Sequence, residues 1–220
     1  MTLALLVAAA LLQTAAAPAA NPVIAFDRPE TAAAAGSLSV SSGSFAPGGF
    51  IPSENSGYGK NLSPSLTWSE GPPKTRSYVV LVEDPDGAGP EPTLHWLAYD
   101  IPASQTSLDS KTRNAVRVKE PEPGFSQGPN DHGGLGWTGP HPPVGDPPHH
   151  YHFQVFALDR MSGKRPGSDR ATILGALRGH VLAKGEVIGL YAQAPERVRK
   201  DKTKPVHTPA ETPAKTPPQA

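Results

Sequence analysis

The chain has 220 residues, 37% of them hydrophobic, which is enough to bury one core, and ordinary domain sizes point to a single domain with appendages. Its 20 Lys and Arg balance 20 Asp and Glu, so it has no basic face of the kind a phosphate backbone selects, and nucleic acid is set aside as a partner. Cysteine is absent, which removes disulfides, thiolate nucleophiles and Cys-ligated metals, while 27 prolines and 22 glycines lying between apolar runs favour a mostly β, loop-rich domain.

Residues 1–20, MTLALLVAAALLQTAAAPAA, hold an apolar core from Leu3 to Leu12 that is shorter than the roughly 20 residues of a membrane span. Ala17-Pro18-Ala19 supplies a small-x-small cleavage site, so the segment reads as an export signal and implies a periplasmic or secreted protein. Its n-region lacks Lys and Arg, which leaves an uncleaved anchor as the alternative. Residues 21–35 read as a linker. Strand signals then recur at 37–42, 65–68, 77–84, 94–101, 150–159 and 186–192, bounded by Gly, Pro, Asn or Asp. Both alternating sets of SYVVLVED at 77–84 are apolar, which predicts a central strand covered on both faces. One amphipathic helix is predicted from about Asp169 to Arg178, with Ser168 as N-cap and Gly179 past its end. Residues 119–148 contain no periodic segment, and a loop of that length is usually functional or mobile. The domain spans 36–195, and residues 196–220, rich in Pro, Thr, Lys and Ala, read as a disordered, solvated tail.

Side chains two apart on a strand share a face. Asp84 therefore closes the face carrying Val80 and Val82, and His95 opens the face carrying Leu97, Tyr99 and Ile101. If the two strands are antiparallel neighbours joined by DPDGAGPEPT, these residues meet at one sheet end. His149 likewise leads Tyr151, Phe153, Val155 and Ala157, while His150 and His152 take the other face with Gln154. One carboxylate and two imidazoles can thus border a recess for a small anion; each is also explicable as a strand-end histidine or a turn-capping aspartate. Asp86 is assigned to turn chemistry, accepting from backbone N–H groups of its own turn. His149 and His150 point to opposite faces, so no metal site is assigned, and without a G-x-S-x-G elbow no catalytic residue is assigned. Ser56 and Ser63 read as turn residues, and Trp68, Trp96 and Trp137 as core or pocket wall.

Five segments occur in order: NLSPSLTW at 61–68, DPD at 84–86, HWLAYDIP at 95–102, GPHPPVG at 139–145 running into HHYHFQVFALD, and GHVLAKGEVIGLY at 179–191. Across about residues 36–192 the chain thereby resembles the phosphatidylethanolamine-binding proteins, in their bacterial Raf-kinase-inhibitor-like branch. The resemblance implies a mostly β, antiparallel sandwich-like fold with a few short peripheral helices. It also implies a non-enzymatic binding module whose small pocket takes phosphate-like or phosphoethanolamine-like head groups. On this resemblance Asp84, His95 and His149 form the pocket, Pro142 and Pro143 its rim, and Tyr151 stands nearby. Two departures stand out: DPDGAGP lengthens the loop bearing Pro90, and His141 stands where the family tends to use a small residue or Cys, so that it narrows the pocket or adds a donor. The expected partner is a small anionic or phosphorylated ligand, with membranes met only through their head groups and no cofactor or metal. Inhibition of a protease or kinase through protein contacts, and hydrolysis of some substrate, are the alternative functions, and a homodimer stays open. If both imidazoles donate to the anion, affinity for phosphate should fall from about pH 5.5 to 8, across the reference histidine pKa near 6.5.

Overall fold

In the computed structural model, which describes residues 22–119 and 122–195, ten strands and one α-helix follow one another along the chain. They are β1 (Gly36–Ser37), β2 (Val40–Ser41), β3 (Leu66–Trp68), β4 (Ser77–Asp84), β5 (Thr93–Pro102), β6 (Ser107–Leu108), β7 (Arg117–Val118), β8 (Phe125–Gln127), β9 (His149–Leu158), α1 (Arg170–Leu177) and β10 (Val181–Tyr191). Seven form one sheet in the order β1-β10-β9-β4-β5-β8-β7, and β2, β3 and β6 form a second. Every pair is antiparallel except β1 with β10.

Strand β4 lies between β5 and β9 and is buried along its whole length, as its doubly apolar pattern predicts. Tyr78, Val80 and Val82 pack in a core shared with Leu66, Trp68 and Leu108 of the second sheet. Val79 and Leu81 enter a different core, against Ile173, Leu174 and Leu177 of α1. Burying one such aliphatic side chain contributes about 1.5–3 kcal/mol, so neither face tolerates the polar alternation of a half-exposed strand. The helix begins one residue later than predicted: Asp169, not Ser168, is its N-cap, accepting from Thr172 N at 2.8 Å. Ser168 is otherwise engaged, its hydroxyl donating to Arg165 O and its N–H to the Tyr99 hydroxyl. Gly179, at φ +75°, takes the left-handed turn that lets the chain leave the helix.

Three expectations are corrected. The stretch 119–148 holds β8, which pairs with the edge of β5 and with β7; at three residues it is too short to show a period. The segment 21–35, read as a linker, belongs to the domain from Pro22 onward. Ala25 N donates to Glu83 Oε2 and Phe26 N to Gln154 Oε1, both at 2.6 Å, while Ala25 and Phe26 cover the second core. Polar groups buried on the outer face of β4 and β9 need partners, and this strap supplies them.

The third correction concerns which way His95 points. Asp84 pairs with Thr93 and Glu83 with Leu94, but Val82 pairs with Trp96, so one extra residue sits in β5 as a β-bulge. Trp96 and Ala98 then join the core between the sheets, and Leu97 and Tyr99 the helix-side core. His95 therefore does not share a face with Leu97 and Tyr99; the bulge leaves it on the side of Thr93 and Asp84. The expected export signal and tail lie outside the described residues. Among those residues no helix is long and apolar enough to cross a membrane.

Candidate functional site

Where β4 ends, β9 begins and the bulge in β5 turns His95 inward, the sheet encloses a cavity of about 110 Å³. All seven residues singled out from the sequence, Asp84, His95, His141, Pro142, Pro143, His149 and Tyr151, border it. Gly87, Thr93 and His132 border it as well and were not anticipated, whereas Pro90 does not border it. Thr93 was legible in principle, since it lies two residues before His95 and opposite Asp84. His132 sits in an aperiodic loop that carries no face information.

The buried polar groups have defined partners. His149 donates its Nδ1–H to Asp84 Oδ2 at 2.8 Å, and the other carboxylate oxygen accepts from Asp86 N at 2.8 Å. Asp84, not Asp86, is thus the turn-capping residue of the DPD run. Asp86 instead accepts from the backbone N–H of His150 at 2.7 Å and pairs with its ring at 2.8 Å, tying the β4–β5 loop to the start of β9. The remaining ring nitrogen of His149 lies 3.8 Å from Asp146 Oδ2 at the mouth.

His95 is held differently. Its Nδ1 lies 2.8 Å from the carbonyl oxygen of Thr138, a group that can only accept, so the ring proton sits on Nδ1 and Nε2 carries a lone pair. Burial pushes its pKa down to about 4, against the opposing pull of the Thr138 carbonyl and Asp84. The sequence expectation that both imidazoles act as protonated donors is corrected here for His95, which is neutral through the physiological range. Tyr151, whose ring meets that of His95 edge-on with centroids 5.0 Å apart, has a buried hydroxyl without a hydrogen-bond partner. Burial, and then the nearby Asp84 charge, push the phenol pKa far up, so the hydroxyl keeps its proton. The cavity therefore offers a phenolic donor and an imidazole acceptor, flanked by the Asp84–His149 pair. Among the described residues no group of three or more His, Asp or Glu side chains is placed to hold a metal ion.

The proline-rich rim is braced by residues 57–61, of which only Asn61, the start of NLSPSLTW, was singled out from the sequence. Tyr58 donates its hydroxyl to Pro142 O at 2.7 Å, and its ring stacks on His141 with centroids 4.1 Å apart. Gly57 N donates to Pro140 O at 2.8 Å, and Gly139 N to Asn61 Oδ1 at 2.6 Å. A Cβ at Gly57 would come 3.1 Å from the His141 ring, so the glycine lets that ring lie close without shifting. His141 thus borders the cavity while lying against Tyr58, and the rim stays in place without any regular structure of its own.

The fold and sequence have counterparts among known proteins. Residues 41–192 match the family described as phosphatidylethanolamine-binding protein. A UPF0098 protein of Methanothermobacter thermautotrophicus is 38% identical over 143 residues, covering 65% of this chain and 91% of its own length. One of Aquifex aeolicus is 39% identical over 156 residues, covering 70% and 88%. Among solved structures, Escherichia coli YbcL, described as a new member of the mammalian PEBP family, superposes with a TM-score of 0.64 at 34% identity over 70% of this chain and 98% of that one. A phosphatidylethanolamine-binding protein homologue from Chlamydia trachomatis gives 0.63 at 29% identity, over 72% and 99%.

Proposed function

We propose, from the premise that this chain belongs to the phosphatidylethanolamine-binding protein family, that its sheet-end cavity binds the phosphate-like head of a small ligand without turning it over. The observation that carries the reading is the Tyr151 hydroxyl, a buried donor near the Asp84 carboxylate but without a hydrogen bond of normal geometry in the protein. An unsatisfied buried polar group costs about 1–3 kcal/mol, a cost met when a ligand supplies the missing acceptor. The volume, about 110 Å³, is below the roughly 300–1,000 Å³ of sites that enclose drug-sized ligands, so a head group enters and the rest of the molecule remains outside. Asp84 orients His149, whose second ring nitrogen lies 3.8 Å from Asp146 Oδ2, and a ligand oxyanion accepting from that edge would take the place of this carboxylate.

Titration calorimetry with inorganic phosphate and with O-phosphoethanolamine tests this. The native protein should bind both, and His149→Ala and Tyr151→Phe should each weaken binding about tenfold or more, the scale of a hydrogen bond to a charged group. No binding by the native protein, or unchanged affinity in both variants, overturns the reading.

A further inference from the structure

We propose that His95 makes this cavity selective for an oxyanion that still carries a proton, a phosphomonoester held as its monoanion, over a sulfate ester of the same charge and shape. The inference rests on the phosphate-head reading above and concerns which phosphate species the site accepts. A fully deprotonated oxyanion can only accept hydrogen bonds. Tyr151 offers it a donor, but the Nε2 of His95 offers a lone pair, because Nδ1–H is committed to Thr138 O at 2.8 Å. Lone pair against oxygen anion is repulsive, whereas a P–OH placed there donates to Nε2 and satisfies both groups. A site built around a buried acceptor rejects ligands that lack the matching hydrogen, because the acceptor is then left unpaired.

The groups around His95 keep it neutral. Asp84 and Asp131 favour its charged form, but Asp131 is engaged by Leu94 N at 2.7 Å and Asp84 by His149 and Asp86 N. The His132 ring, with its centroid 5.3 Å away, opposes a second positive charge when protonated, and the Tyr151 phenol stays neutral. Burial outweighs the carboxylates, so the lone pair persists down to about pH 4.

Methyl phosphate and methyl sulfate separate the proton from everything else. At about pH 5.5 both are monoanions, and only the phosphate retains a hydrogen, its second ionisation lying near pH 6. Calorimetry on the native protein should show methyl phosphate binding at least about tenfold tighter than methyl sulfate at that pH. The preference should shrink by about pH 8, where methyl phosphate has lost its proton; methyl sulfate does not titrate there, so its own change reports the protein alone. In His95→Asn the amide can still donate to Thr138 O while nothing occupies the place of Nε2, and the two ligands should come within about threefold of each other. Equal affinity in the native protein, or an undiminished preference in His95→Asn, overturns the proposal and leaves the phosphate-head reading standing. Failure of both methyl esters, of phosphate and of phosphoethanolamine to bind overturns the two together. The native comparison alone decides the matter should the variant not fold.

Discussion

Glu83 and Asp84 are consecutive in β4, both buried, and they leave the strand on opposite faces into regions built on opposite principles. On the helix side Glu83 is closed in by the chain itself: Ala25 N donates to it at 2.6 Å, the Gln154 amide at 2.9 Å, and Arg170 pairs with it at 2.6 Å. Arg170 in turn donates to Pro92 O at 3.2 Å. On the cavity side Asp84 is used to aim His149, and this pair borders the cavity together with His95 and with Tyr151, whose hydroxyl is buried. Two adjacent acids, chemically almost the same, thus serve cohesion on one face and border the proposed binding cavity on the other. The two cases differ in what faces each acid: the Ala25 backbone, Gln154 and Arg170 enclose Glu83, whereas Asp84 borders the cavity.

That contrast can be broken in three places. The largest effect belongs to Glu83→Ala, which strands Arg170 and the Ala25 N–H in the interior; breaking a buried ion pair from one side costs about 3–5 kcal/mol. Urea denaturation should show a loss on that scale or failure to fold, and a loss below about 1 kcal/mol would mean that this side is not the cohesive one. A second, smaller effect is acid sensitivity at His95. Between the unfolded histidine pKa near 6.5 and the folded value of about 4, the unfolded chain takes up a proton that the folded one refuses, so stability falls as pH falls through that window. The full contribution is about 3 kcal/mol, and the difference in urea midpoint between pH 7 and 4.5 should be smaller in His95→Asn than in the native protein. The smallest effect is Asp169→Ala, which removes the cap of α1 and should cost about 1 kcal/mol while phosphate affinity stays unchanged. A parallel loss of affinity, read by calorimetry, would show that the two faces are not independent.

Much of this arrangement was readable from residue order. The doubly apolar run 77–84 announced a central strand, and the alternation beginning at His149 put Tyr151, Phe153, Val155 and Ala157 on one face, as found. The lining residues came from strand ends and from motif resemblance, and both sources name side chains that do border the cavity. Strict alternation failed at His95, since a bulge is defined by two strands pairing unevenly and leaves no mark in one strand alone. Turn capping was assigned to Asp86 rather than Asp84 because either carboxylate can cap a four-residue turn, and only the position of His150 decides between them. The strap at 22–35 was missed because the buried Glu83 and Gln154 that it satisfies lie tens of residues away in sequence. Tyr58 was passed over because a lone aromatic between glycines has no period, although its contact with Pro142 holds the rim.

The uneven pairing of β4 and β5 has a consequence for how such a protein can diverge. With one residue inserted, both His95 and Trp96 stand on the same side of the sheet; removing one would restore plain pleating and leave a single side chain there. Changes in strand length at this spot would therefore rewrite the chemistry met by a guest molecule more thoroughly than exchanging one side chain for another, and would do so without altering the helix-side core that keeps the domain folded.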